Sequence, residues 1–118
     1  MAETVEYLDK LGIIKVDSRG ETSLADWEKS LEQVSRLNQE TSANRVLLDA
    51  RKMQRKPNTL EWFNFAANLP FALRFAVVVS ESGRQDLEFV ETVGKNRGKT
   101  VQLFHRYEQA IAWLSTNT

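Results

Sequence analysis

The sequence predicts an α/β domain: a mixed, mainly parallel five-stranded sheet with four helices, in the order ββαβαβαβα. Three observations lead there. Two continuous apolar runs, "RVLLDA" and "LRFAVVVS", have the pattern of central strands covered on both faces. Between such runs lie segments whose apolar residues recur at three- and four-residue steps, the period of an amphipathic helix. Near the N-terminus, a break at "KLG" separates two shorter alternating segments, which reads as a hairpin.

The elements follow in order. Val5, Tyr7 and Leu8 mark the first strand, and "GIIKVDS" supplies the second, with Ile14 and Val16 on one face. "SLADWEKSLEQVSRLNQE" is a helix with Ser23 as N-cap and Asp26 in the first turn, where negative charge is favoured. Leu24, Trp27, Leu31, Val34 and Leu37 form its buried stripe. "RVLLDA" is the third strand, and "RKMQRKP" is expected to be the loop after it. Pro57 and Asn58 then open a helix over "TLEWFNFAANLP", capped by Asn58 or Thr59 and ended by Pro70. "LRFAVVVS" is the fourth strand. "GRQDLEFVETVGKNRG" is a helix with Leu87, Val90 and Val93 inward and Gly98 at its C-terminal end; Ser82 and Gly83 open it. "TVQLFH" is the last strand, and "YEQAIAWL" the last helix, with Ala110, Ile111 and Leu114 inward. No linker or repeat divides the 118 residues, so one domain is expected.

Composition removes several function classes. Sixteen basic and sixteen acidic residues cancel, which argues against a general nucleic-acid binder. Without cysteine there is no disulfide, thiolate zinc site, iron–sulfur cluster or cysteine nucleophile. His105 is the only histidine, so a multi-histidine metal site is excluded. It follows the last strand and has no nucleophile–base partner in the sequence. No metal and no cofactor are expected, and an enzyme ranks below a binding module. "MAETVEYLDKLG" lacks the apolar run of a signal peptide. No window approaches the roughly 20 apolar residues of a spanning helix. The expectation is a cytoplasmic protein with no membrane span.

Asp49 raises the sharpest chemical question. A carboxylate at the end of a central strand is where a receiver domain places its phosphoacceptor. The sequence lacks the acidic pair after the first strand and the lysine after the last, so a magnesium ion would have too few oxygen ligands. The simpler reading is a strand-end carboxylate that accepts hydrogen bonds from loop amides and pairs with Arg51 or Arg45.

The whole pattern resembles a known family. The N-terminal hairpin, "GETSLADWEKSLEQV", "RVLLDARKM", "RFAVVVSE" and "VQLFHRYEQAIAWL" together look like the SpoIIAA-like family of the STAS superfamily. The resemblance implies a STAS-like fold and a non-enzymatic bacterial regulatory module, similar to antagonists of anti-sigma factors. Those carry an Asp-Ser-Ser-Gly-like stretch at a helix N-terminus, whose serine is phosphorylated by a partner kinase. This chain has "KPNTLEW" there, with Pro57 and Asn58 in place of the Asp-Ser pair. Thr59 is the only hydroxyl nearby and the candidate phosphoacceptor, since a helix N-terminus favours a phosphate. An ordinary cap or first-turn residue is the competing reading.

The expected working surface covers residues 51 to 71. Arg51, Lys52, Arg55 and Lys56 would steer an acidic partner or anionic group. Beside them Trp62, Phe63 and Phe65 leave the predicted helix with little polar face, which fits an apolar patch for a protein partner or a homodimer. The superfamily is related in shape to lipid-binding SEC14-type domains. The alternative is therefore a small carrier of an apolar or anionic ligand. A carrier needs a closed apolar cavity; an interaction module needs a filled core.

Overall fold

The computed structural model describes residues 3–21, 24–55, 73–80, 84–96, 98 and 100–116. In chain order the elements are β1 (Glu3–Leu8), β2 (Ile13–Glu21), α1 (Leu24–Thr41), β3 (Arg45–Arg55), β4 (Arg74–Val78), α2 (Arg84–Asn96), β5 (Thr100–Phe104) and α3 (Tyr107–Leu114). The five strands form one mixed sheet in the order β1-β2-β3-β4-β5. β1 is antiparallel to β2, and every later pair is parallel. The α/β class, the N-terminal hairpin and the five strands agree with the sequence reading. Three helices lie among the described residues; the helix expected over residues 59–70 lies outside them.

The hairpin turn works because Gly12 adopts a positive φ of 66°, a conformation that costs a residue with a Cβ about 1 kcal/mol. The amides of Leu11 and Gly12 both donate to the Leu8 carbonyl, at 3.1 and 2.9 Å. At the far end of α1 the chain leaves the helix through Ser42, at φ 64°. Side chains of the last turn tie down this exit: Thr41 Oγ1 donates to the Leu37 carbonyl at 2.7 Å, and Asn38 Nδ2 to the Ala43 carbonyl beyond the helix at 2.7 Å.

The sheet buries both faces of its central strands, as the continuous apolar runs require. On one face Ile14, Val16, Val46, Leu48, Phe75 and Val77 pack with Trp27 and Val34 of α1, and Val93 of α2 packs against them. On the other face Ile13, Leu47, Ala76 and Val78 pack against Ala110 and Leu114 of α3. Trp27 is core, as its place on the α1 stripe predicts. Trp113 is half-buried, 5.7 Å from the Phe104 ring. Arg74, the first residue of β4, lies 4.2 Å over the Trp113 ring. It donates to the Trp113 and Thr116 carbonyls at 3.3 and 3.1 Å, closing the C-terminal turn of α3.

One expectation is corrected. The apolar run predicts a strand that stops at Ala50, with "RKMQRKP" as a loop; β3 instead continues to Arg55. The apolar run ends because the neighbour changes. β4 pairs with β3 only as far as Asp49, whereas β2 accompanies β3 through Arg55. Among the described residues only β2 accompanies β3 beyond Asp49, and Arg51 and Lys52 are exposed there. Asp49 is therefore not a strand-end residue. It marks the last rung of the four parallel strands, inside a longer β3.

Candidate functional site: a charged surface at the carboxyl ends of β2 and β3

Among the described residues, α3 is the helix that packs on the second face of the sheet. α3 packs over β3, β4 and β5, and its first residue, Tyr107, stands near the carboxyl ends of the parallel strands. Register places Glu6 of β1 opposite Lys15 of β2, Thr4 opposite Asp17, and Asp17 opposite Asp49 of β3. These side chains share the α3 face of β1, β2 and β3. Glu6 and Thr4 are exposed, and Lys15 and Asp17 half-buried.

Asp17 and Asp49 are side by side on adjacent strands, an arrangement that repels unless neutralised. Each carboxylate has its own arginine two residues later. Arg51 donates Nε to Asp49 Oδ1 at 2.9 Å, Nη2 to Oδ2 at 2.7 Å, and its backbone N–H to Oδ1 at 3.2 Å. Arg19 donates Nε and Nη2 to Asp17 Oδ2 at 3.1 and 3.0 Å. In both pairs the carboxylate is the inner partner: the Asp49 side chain is 11% exposed against 41% for Arg51, and Asp17 is 18% against 60% for Arg19. Cations therefore face outward from carboxylate seats.

Tyr107 stands between the strands and this surface. Lys15 Nζ lies 5.2 Å from the centre of its ring and the Arg51 guanidinium 5.7 Å, both in cation–π range. Burial pushes the Asp49 carboxyl upward, but hydrogen bonds from the Arg51 side chain and amide, with the charges of Arg51 and Lys15, bring it below the usual carboxylate range. The Asp49 carboxylate holds Arg51 above its ordinary value, against the effect of burial. Both groups are charged at neutral pH.

The predicted pairing of Asp49 is present, with Arg51 as partner. Arg51 and Lys52 are exposed as expected, but on a strand rather than a loop. Arg55 ends that strand. Lys56, Thr59, Trp62, Phe63 and Phe65 lie outside the described residues. His105 is exposed, just past β5.

The sequence reading overlooked Lys15, Asp17, Arg19 and Tyr107. The signal was present in "IIKVDSRG". If Ile14 and Val16 face the core, the intervening Lys15 and Asp17, with Arg19 beyond, define a charged opposite edge of the same strand. Tyr107 carried no such signal, since only the packing of α3 brings it to β2 and β3. Among the described residues, no three His, Asp or Glu side chains are grouped as a metal site requires, and no helix is long and apolar enough to cross a membrane. No protein-family model matches this chain, and a search of curated proteins finds no match.

Proposed function

We propose that this protein is a non-enzymatic regulatory module of the STAS, SpoIIAA-like type that acts by binding another protein. The observation that carries this reading is the pair of outward-facing arginines, Arg19 and Arg51, each seated on a buried or half-buried aspartate. A guanidinium held from behind loses less rotamer freedom when it meets a partner, so such a surface favours recognition. Two further features support it. Cations and carboxylates are interspersed on a sheet face at the carboxyl ends of parallel strands, the end of an open α/β sheet where ligands are met. The apolar space between α1 and the sheet, lined by Trp27, Leu31, Val34, Val46, Leu48 and Phe75, amounts to about 20 Å³. That holds roughly one water and no lipid chain, so the space between α1 and the sheet does not house an apolar ligand. The absence of the Asp-Ser pair at Pro57 and Asn58 separates this module from the phosphorylated members of the family it resembles.

Native mass spectrometry of the protein recovered gently from its own cells tests the proposal. A stoichiometric protein partner is expected, and Lys15→Glu combined with Arg51→Glu should weaken its binding at least about tenfold, or 1.4 kcal/mol. A bound lipophilic small molecule, or a bare monomer, would overturn it.

A further inference from the structure

Among the described residues β5 is the last strand of the sheet and pairs only with β4. The Phe104 carbonyl accepts from the Val79 N–H at 2.8 Å, so the backbone of Phe104 faces β4. The preceding residue turns its own backbone groups to the open edge. Leu103 N–H does point that way, and it donates to Glu91 Oε2 of α2 at 2.7 Å. A carboxylate oxygen occupies the place that the carbonyl of a sixth strand would take.

A cleft lies beside this bond. It is open to solvent, spans about 360 Å³ and is lined by Val79, Glu88, Glu91, Lys95, Gln102, Leu103 and His105. Its volume is within the range of ligand-binding clefts, and two of its walls are backbone edge and carboxylate. Lys95 Nζ stands 3.8 Å from Glu91 Oε1, long for an ion pair, and the Lys95 side chain is 56% exposed. Val101, the next outward residue of β5, is 2% exposed. The accessible edge is thus confined to the stretch from Leu103 to His105.

We propose that the carboxyl end of β5 accepts a short, extended, basic segment of a partner protein by strand addition, with Glu91 as its gate. A backbone carbonyl of the segment takes the Leu103 N–H. The displaced Glu91 carboxylate pairs with a Lys or Arg side chain of the same segment. One charge-assisted hydrogen bond is exchanged for a backbone bond plus an ion pair. The exchange is nearly balanced for a basic segment and less favourable for any other, because the exposed Lys95, 3.8 Å away, compensates the released carboxylate only weakly. This makes the gate selective. The site lies beyond β4, on the opposite edge of the sheet from the β1–β2 hairpin, and does not share residues with the Lys15–Arg51 surface.

The test is a titration of ¹⁵N-labelled protein, followed by its amide resonances. The probes are a blocked peptide alternating Thr and Arg, the same peptide with Glu in place of Arg, and free arginine. Saturable shifts of the Leu103 and His105 amides with the Arg peptide alone, plus nuclear Overhauser contacts from the peptide backbone to Leu103, are expected. Glu91→Gln keeps an oxygen over Leu103 N–H but removes the charge, and should weaken the Arg peptide about tenfold; its unchanged amide spectrum elsewhere certifies the fold. A silent Leu103, equal response to the Glu peptide, equal affinity for free arginine, or no effect of Glu91→Gln would each overturn the proposal.

Discussion

The two ends of α3 each carry an arginine set over an aromatic ring. At the C-terminal end Arg74 lies 4.2 Å over Trp113, and at the N-terminal end Arg51 lies 5.7 Å from Tyr107. The resemblance is superficial. Arg74 donates to the last carbonyls of the helix, where unpaired acceptors and the negative end of the macrodipole favour a cation. Arg51 stands near the positive end, where a cation is disfavoured, and it makes no hydrogen bond to the helix; its partner is Asp49 on its own strand. The first clasp joins β4 to α3 and is explained by stability alone. Glu108 in the first turn of α3 offsets the positive end for Arg51, and this clasp, anchored on its own strand and not on the helix, is the one we propose for binding.

The largest test of this difference is Arg74→Ala. It removes a stacked cation and the bonds to the helix end, and should lower stability by about 2–3 kcal/mol in urea unfolding, with partner binding intact in the folded fraction. A loss no greater than that of Tyr107→Leu would erase the distinction.

Asp49→Asn comes next, at about 1–2 kcal/mol near neutral pH. Its sign with pH is fixed by linkage. The folded-state pKa of Asp49 lies below its unfolded value. Its contribution is full above the unfolded pKa and is lost as pH falls through the folded one. The wild-type advantage over Asp49→Asn should therefore hold at neutral pH and shrink through the acid range below ordinary aspartate titration. A constant difference in urea midpoints across that range would refute the pairing as its source.

Tyr107→Leu should have the smallest effect on folding, about 1 kcal/mol or less, because its cation contacts are partly exposed. The same change is expected to weaken partner binding several-fold by freeing Lys15 and Arg51 from a common ring. Calorimetric titration with the recovered partner measures it.

Much of the fold was legible because its strands and helices declare themselves by period. The α3 bounds coincide with "YEQAIAWL", where Ala110 and Leu114 fall at a four-residue step. β3 was read too short because a strand that leaves the core stops looking apolar. Arg51 and Lys52 are charged since only β2 accompanies them, not because the strand has ended. Of the site, the Asp49–Arg51 pair could be read, since both partners lie on one strand at period two. Lys15 and Tyr107 could not be brought to it, because their approach depends on cross-strand register and on which face α3 takes. Arg74 was likewise invisible as a helix cap, being separated from Trp113 and Thr116 by about forty residues of chain.

The strand order has a kinetic consequence. Among the described residues each strand pairs with its immediate neighbour in sequence, and no strand is inserted between two others. The longest loop that must close before a new rung forms is one crossover, so the entropy lost at each step is small for a parallel sheet. Assembly can spread from the β1–β2 hairpin, or from any adjacent pair, without undoing a rung already made. For a largely parallel topology this chain should refold quickly.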